Sequence, residues 1–205
     1  MRGFILNIRK AKNEDIIVTT LSDSKVQSYY RFFGARHSIL QVGNLIDFQV
    51  QESKKSFMPQ IRKITHISFP WLFSSSPLMI WQEFIQLFEP HLKERTTIDN
   101  FYFELLLKIA KRWDKQNPKR LAVESYIEIL SYEHRVRNNP LCFICQTSLN
   151  NQITLIRAYI PTHPQCVRAK PFDKRKIFEF FRSKSTIYLE DVEVDELYAV
   201  LLKGF

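Results

Sequence analysis

The stretch Ile46-Asp47-Phe48-Gln49-Val50 alternates apolar with polar side chains, and it decides the fold class of the first third of the chain. The alternation predicts a β-strand with one face in a core and one in solvent. Five runs of strand length occur before residue 70: Gly3–Arg9, Asp15–Leu21, Val26–Phe33, Leu45–Gln51 and Ile61–Ser68. Five short strands predict a small Greek-key barrel, most commonly the OB-fold, with a sandwich as the alternative.

From about residue 75 the apolar residues recur every three or four positions, as in helices. Ser76 before Pro77 predicts one helix start, Asp99 a second, and Asn117 before Pro118 a third. The predicted inward stripes are Leu78, Trp81, Ile85, Phe88 and Leu92, then Phe103, Leu106, Leu107, Ala110 and Trp113, then Ala122, Tyr126, Ile129 and Leu130. Two further helices are predicted over Asp173–Lys184 and Val194–Lys203. The expected class is α+β.

Composition excludes several classes of protein. Hydrophobic residues make up 45% of the 205 residues and charged residues 25%, as in ordinary globular domains. No apolar run is long enough for a membrane helix. The four glycines are too far apart to form a dinucleotide-binding or phosphate-binding loop. The apolar stretch at the start of the sequence is too short for a signal peptide, and polar residues follow it too soon. We therefore expect a cytoplasmic protein.

The net charge of +9 is concentrated at the beginning of the chain. Residues 1–70 hold eleven Lys and Arg against five acids, a surplus of +6. A local surplus of this kind attracts polyanions, and nucleic acid is the leading partner. An anionic membrane is a weaker alternative because that third shows no basic amphipathic helix. The remaining alternative is a basic surface that only confers solubility.

All three cysteines lie in one window with the pattern C-x2-C-x17-H-x2-C: Cys142, Cys145, His163 and Cys166. Two knuckles of this spacing bring four ligands to the corners of a tetrahedron, the geometry of Zn²⁺. The run 153–159 reads as a strand, which predicts a zinc-ribbon hairpin. Four protein ligands leave no open position, so we expect one structural zinc ion. The alternatives are a reduced, buried cysteine pair with an unrelated His163 and Cys166, or an iron–sulfur cluster.

Three segments in this order resemble the bacterial DNA repair and recombination mediator family RecO, in a short, divergent version. Arg2–Leu6 followed by Glu14–Thr19 is similar to the family's G-[FY]-[IV]-L…E-x-D-x-[IL]-[IV] opening. Tyr30–Ser38 is similar to its G-A-R-x-x-x-S loop. The helix Glu124–Leu130 followed by Asn139-Pro140 and Cys142 resembles its entry into the C-x-x-C knuckle. The resemblance touches all the regions described above.

The resemblance implies an OB-fold at 1–72, a helical domain beginning at 73–140, a zinc finger inserted at 141–168, and C-terminal helices at 169–205 that complete the helical domain. It implies a non-catalytic protein, cytoplasmic and associated with the nucleoid. Such proteins bind single- and double-stranded DNA and anneal complementary strands. They act in the RecFOR pathway with RecR to load RecA on strands covered by single-strand-binding protein, whose acidic C-terminal tail they grip. One departure is that His163 stands where the family often has a cysteine.

DNA binding needs cations for phosphates and flat side chains for bases. The predicted phosphate contacts of the barrel are Arg9, Lys10, Lys12, Lys25, Arg31 and Arg36, with His37 beside them. Tyr29 is the predicted stacking residue, although one face of its strand must be core. A second basic cluster spans the junction of the second and third predicted helices, with Lys111, Arg112 and Lys115 as predicted DNA contacts and Lys119 and Arg120 beside them. For each cation the alternative is a solvated charge, or at a helix end a charge that the helix dipole favours.

The resemblance places the grip on the acidic tail at the third helix, with Lys119, Arg120, Ile127 and Leu130 as candidates. The alternative for Ile127 and Leu130 is core packing. Two other function classes stay open. A zinc-ribbon adaptor would act through protein contacts. A Mg²⁺-dependent nuclease would use an acidic group that otherwise favours a helix N-terminus: Asp191, Glu193, Asp195 and Glu196.

Overall fold

The structure is a computed structural model that describes residues 1–52, 57–93, 95 and 97–205. Its first five strands are β1 (Arg2–Lys10), β2 (Ile16–Leu21), β3 (Val26–Arg31), β4 (Leu45–Gln51) and β5 (Gln60–Ile67). They close into a barrel in the order β1-β2-β3-β5-β4, and β4 returns to β1. The predicted α+β class and the barrel are confirmed, and the sandwich alternative is wrong.

The barrel closes because two strands bend. The register shifts between Ile5 and Asn7 in β1 and between Asp47 and Gln49 in β4. Such bulges increase the local twist, which lets a sheet curl onto itself. β3 pairs with β5 in parallel at Tyr30 and Gln60, whereas the other barrel pairs are antiparallel. The end of β3 therefore lies beside the start of β5.

Helices pack beside the barrel within the same compact unit, Met1–Lys115. They are α1 (Ser75–Gln86), α2 (Phe88–Leu92) and α3 (Phe101–Ala110). The predicted N-cap Ser76 is wrong: α1 begins at Ser75, so the cap position is Ser74, two residues earlier, and it has no side-chain cap. α3 begins two residues after Asp99, whose carboxylate accepts a hydrogen bond from the Phe101 N–H. Two members of the predicted stripes, Leu78 and Leu107, are only half-buried.

Three tryptophans form the junction between barrel and helices in this unit. Trp71, Trp81 and Trp113 pack with ring centroids 5.0–6.1 Å apart. Each buried indole N–H donates to a backbone carbonyl, and Trp81 donates to Gly43 at 2.8 Å. Gly43 has φ +92°, and a Cβ there would lie 2.6 Å from the Trp81 ring. Only glycine satisfies both conditions at this contact.

The second compact unit is Gln116–Phe205. It contains α4 (Pro118–Tyr132), β6 (Gln152–Ile156), β7 (Ile160–Thr162), β8 (Phe172–Asp173), α5 (Lys174–Ser183) and α6 (Asp191–Leu201). The strands form a sheet in the order β7-β6-β8. The predicted cap at Asn117 is confirmed, since its side chain accepts from the N–H groups of Lys119 and Arg120. The domain boundary predicted at residue 72 stays a prediction, since the two compact units divide at residue 115.

Two expectations for this unit are corrected. The strand predicted over 153–159 ends at Ile156, and residues 157–159 form a 3₁₀ turn that leads into β7. The last helix begins at Asp191 rather than Val194 because Glu190 and Glu193 form a capping box at its start. The core holds Tyr126 and Tyr159, whose rings pack 4.8 Å apart. Burial raises the pKa of the Tyr126 hydroxyl to about 12.

Candidate metal centre and nucleic-acid interface

The structure brings Cys142, Cys145, His163 and Cys166 together, with all four ligand atoms within 4.8 Å of one another. The first two residues lie in a knuckle that the Leu141–Ser148 bridge closes. The other two directly follow β7, so the β6–β7 hairpin carries the second knuckle. The four residues can therefore hold a metal ion, as their spacing predicts.

Hydrogen bonds orient the histidine ring for metal binding. Its Nε2–H donates to the Ser148 carbonyl at 2.9 Å, which leaves Nδ1 facing the sulfurs. Nδ1 lies 3.3 Å from the Cys145 sulfur and 4.0 Å from the Cys166 sulfur. A metal-bound histidine commonly has its other ring nitrogen fixed in this way. The Ser148 carbonyl thus fixes the orientation of the His163 ring.

The observed separations suit a tetrahedral ion. Zn–S and Zn–N bonds of about 2.3 and 2.0 Å place neighbouring ligand atoms roughly 3.5–3.8 Å apart. The distances from Nδ1 of His163 to Cys145 and Cys166 lie on either side of that value. Three thiols and one imidazole are also the donor set that tetrahedral zinc sites use. The residues present fit the ion.

The surroundings of Cys145 in the first knuckle favour a thiolate, whereas those of Cys166 favour a thiol. Hydrogen bonds from the Thr147 hydroxyl and its backbone N–H lower the pKa of the Cys145 thiol to about 6. Burial, together with the neighbouring Cys145 and Cys142 sulfurs, raises the pKa of the Cys166 thiol to about 11. Thiolates at this distance repel one another, which favours the protonated form of the Cys166 thiol. A divalent cation would relieve that repulsion.

One end of the barrel gathers most of the predicted phosphate contacts. Lys10 pairs in register with Ile16, and Ile16 pairs with Arg31, so the β1–β2 turn and the end of β3 lie side by side. Lys12 and the segment with Arg36 and His37 are at this same end. Lys25 is not, because the β2–β3 turn is at the opposite end of β2.

Two of the predicted cations are already neutralised. The Arg9 guanidinium contacts the Glu89 carboxylate at 2.6 Å, and Arg36 forms an ion pair with Glu14. In both ion pairs the acidic partner is distant in the sequence and is brought beside the arginine by the fold. Lys10, Lys12 and Arg31 form no ion pair with any residue that the structure describes. They are the stronger candidates for phosphate binding.

The predicted stacking residue Tyr29 is wrong. Its side chain is buried in the barrel core, where its ring lies 5.4 Å from that of Phe48. A ring enclosed on all sides cannot stack on a base. Strand alternation gave two possible faces for β3, and the face with Tyr29 turns inward.

The aromatic side chains exposed at the end of β3 are instead Phe32 and Phe33, which are 46% and 57% exposed. They border a cleft of about 430 Å³ at the end of β3, together with Arg31, His37, Arg62 and Lys63. Sequence reasoning missed Arg62 and Lys63 because β5 becomes a neighbour of β3 only through the closure of the barrel. The exposure of the two phenylalanines could have been inferred from their position at the end of a predicted strand, where the core no longer encloses the side chains.

The family model described as RecO N terminal matches residues 1–72. The barrel is thus similar to the RecO N-terminal domain. The match supports membership of the RecO family, as the motif resemblance predicts, and it covers the barrel and the cleft. RecO proteins belong to DNA repair and recombination. No curated protein sequence matches the chain. Beyond residue 72 the resemblance remains a prediction from the knuckle and its preceding helix.

After the barrel in the sequence, Lys111 and Lys115 are exposed in the turns that follow α3. Arg112 is half-buried between them. These three residues belong to the first compact unit, so they remain candidates beside the barrel. Lys119 and Arg120 belong to the second unit.

The predicted partner-binding residues have structural roles. Ile127 and Leu130 are fully buried in the core of the second unit, so the prediction that they line a surface groove is wrong. Lys119 forms an ion pair with Asp195 at 2.7 Å. Arg120 donates to the carbonyls of Thr186 and Leu189 and to the Asp191 carboxylate. The two cations therefore tie α4 to the loop before α6 and to α6 itself.

The second unit carries a basic stretch that the charge sum concealed. Residues 168–184 hold seven Lys and Arg against two acids, but the acids of 190–196 cancel this surplus in the total for the last third. Arg168, Arg175 and Lys184 are exposed and form no ion pair among the described residues. A sum over shorter windows would have found them.

Proposed function

We propose that the chain is a non-catalytic recombination mediator of the RecO type. It binds single- and double-stranded DNA, anneals complementary strands, and acts with RecR to load RecA on strands covered by single-strand-binding protein. It works in the cytoplasm, at the nucleoid. No described helix has the length and apolar character needed to cross a membrane.

One observation supports this function: the region that matches the RecO N-terminal model also carries a group of cations for which the structure describes no acidic partner. Five cations lie at one end of the matched barrel with no ion pair among the described residues: Lys10, Lys12, Arg31, Arg62 and Lys63. Positive charge attracts phosphates and screens the repulsion between two strands, so annealing needs no acid–base pair.

We also propose that the metal is zinc and that it is structural. Cys142, Cys145, His163 and Cys166 would use all four of its positions, and zinc would supply a rigid link between the two knuckles. The chain's own part is to present thiolates and to orient His163 through Ser148. Metal analysis of protein purified without added metal tests the identity, with one zinc per chain as the expected result.

The function is tested by annealing of two complementary labelled oligonucleotides, without nucleotide and without Mg²⁺, over a salt series. Acceleration that fades with salt is expected, because counterion release drives the binding. Adding RecR and strands coated with single-strand-binding protein then tests the partners. If the protein neither binds DNA nor anneals it, the mediator function is wrong.

One observation favours the adaptor as a second candidate. Leu141, Phe143 and Ile144 of the first knuckle are 37%, 41% and 53% exposed. Arg137 lies 5.0 Å from the Phe143 ring centroid. An apolar knuckle with a cation beside it suits a protein contact. The adaptor would bind partners at high salt and DNA weakly at any salt.

The nuclease alternative has less support. The acidic side chains proposed for it are each engaged by a cation, in the pairs Asp191–Arg120, Glu193–Lys176, Asp195–Lys119 and Glu196–Lys170. They also sit in the first half of α6, where acids favour the helix dipole. Hydrolysis of labelled DNA in Mg²⁺ would revive this alternative.

A further inference from the structure

The cleft at the end of β3 combines flat apolar rings with positive charge. Phe32 and Phe33 expose about half of their surface, and Arg31, His37, Arg62 and Lys63 line the cleft around them. None of its described lining residues is acidic. Adjacent exposed phenylalanines form an apolar patch of the kind that marks ligand-binding surfaces.

The backbone is held in an unfavourable conformation to present these rings. Phe33 has φ +53°, a left-handed conformation that is rare and unfavourable for a bulky side chain. Asp15 fixes it: one carboxylate oxygen accepts from the Phe33 N–H at 2.9 Å, and the other accepts from the Tyr30 hydroxyl. Strain that the surroundings maintain in this way is typical of binding sites.

Three further contacts fix the same turn. Ala35 N–H donates to the Glu14 carbonyl at 2.9 Å. Gly34 packs so closely that a Cβ there would lie 2.3 Å from a carbon of Ile16. The Tyr30 ring meets Phe32 edge-on at 4.9 Å, and the Arg36 guanidinium lies 5.3 Å from the Phe33 ring centroid. The rings are therefore presented by a prearranged turn and not by a loose loop.

We propose that Phe32 and Phe33 stack on unpaired bases and give the barrel a preference for single-stranded over duplex nucleic acid. This inference rests on the proposed DNA-binding function and deepens it. The cations of the cleft hold the backbone phosphates, and the rings take the bases. In a duplex each base is already stacked between its neighbours, so its face is not available to a side chain.

The magnitude follows from the strength of such contacts. Stacking of one base on an aromatic side chain contributes about 5- to 150-fold in affinity. Leucine keeps the apolar surface but has no ring face. We therefore expect the variant Phe32→Leu with Phe33→Leu to lose at least about 5-fold in affinity for a single strand and to keep its affinity for a duplex.

The experiment uses the full chain and three labelled ligands of equal length: a thymidine strand, a duplex, and an abasic strand with the same phosphates. The wild type should bind the thymidine strand more tightly than the abasic strand, and the double variant should bind the two alike. The matched control is Phe73→Leu, which removes an 87% exposed ring outside the cleft. Far-UV circular dichroism checks that each variant is folded.

Each outcome bears on the inference. An equal loss for thymidine, abasic and duplex ligands would overturn it, because bases would then not be the contact. So would unchanged binding by the double variant while the wild type still binds DNA in a salt-dependent manner, and in that case the proposed function stands. If the wild type binds none of the ligands, the proposed function itself fails.

Discussion

The salt dependence of single-strand binding can be predicted from the cations that the fold leaves unpaired. Lys10, Lys12, Arg31, Arg62 and Lys63 lie at one end of the barrel without an acidic partner among the described residues. Each phosphate neutralised on a single strand contributes about −0.7 to the slope of log K against log salt. Five contacts give about −3.5, so affinity should fall about 130-fold between roughly 50 and 200 mM salt.

The perturbation is the double variant Arg62→Gln with Lys63→Gln. Both side chains are exposed, so the fold should persist. Three contacts remain, and the slope should flatten to about −2.1, which is a fall of about 18-fold over the same salt range. The matched control is Arg9→Gln. Arg9 lies in the same barrel, but Glu89 already neutralises its charge, so the slope should stay near −3.5.

Fluorescence anisotropy of a labelled thymidine strand, titrated at four or more salt concentrations, measures these slopes. Two results would refute the reasoning. One is a double variant with the wild-type slope, which would place the phosphates elsewhere. The other is an Arg9→Gln variant that flattens the slope as much as the double variant, which would mean that ion pairing does not decide which cations bind.

Three further predictions concern stability. Gly43→Ala should lower the free energy of unfolding by about 2–4 kcal/mol, because it places an alanine at a positive φ and 2.6 Å from the Trp81 ring. Urea denaturation followed by circular dichroism measures the loss, and a loss under about 0.5 kcal/mol would contradict the prediction. Cys142→Ser should abolish stoichiometric zinc and lower the melting temperature, whereas a variant that melts normally without zinc would argue against a structural metal. The raised pKa of Tyr126 means that the unfolded chain ionises first, so stability is full below about pH 10 and is lost as the pH rises towards about 12. Tyr126→Phe should lose less stability over that interval, and an alkaline titration of both proteins checks this.

Much of the fold could be predicted because its signals are local. Each barrel strand has a continuous run of suitable residues, and all five were found with ends within two residues of those observed. The metal site was predictable for the same reason, since the two knuckles of Cys142 and His163 show their ligands as short spacings. Asn117 before Pro118 marked the start of α4 with equal clarity.

The interface was harder to predict because it depends on contacts between distant residues. Whether Tyr29 or Phe32 faces solvent is decided by which side of β3 the barrel encloses, and alternation alone is symmetric in this respect. Arg9 appears as an available cation until Glu89, eighty residues later in the chain, is placed beside it. Arg120 looked like a surface cation, yet it binds two carbonyls of a loop more than sixty residues away.

The tryptophan cluster has a practical consequence for spectroscopy. The chain has three tryptophans, and Trp71, Trp81 and Trp113 all lie in the first compact unit. Their fluorescence therefore reports only on Met1–Lys115. Tyr126 and Tyr159 lie in the core of the second unit, but Tyr29 and Tyr102 are buried in the first, so tyrosine signals report on both units. Tryptophan fluorescence before and after removal of the metal from the second unit would therefore show, without any added label, whether the change spreads to the first unit.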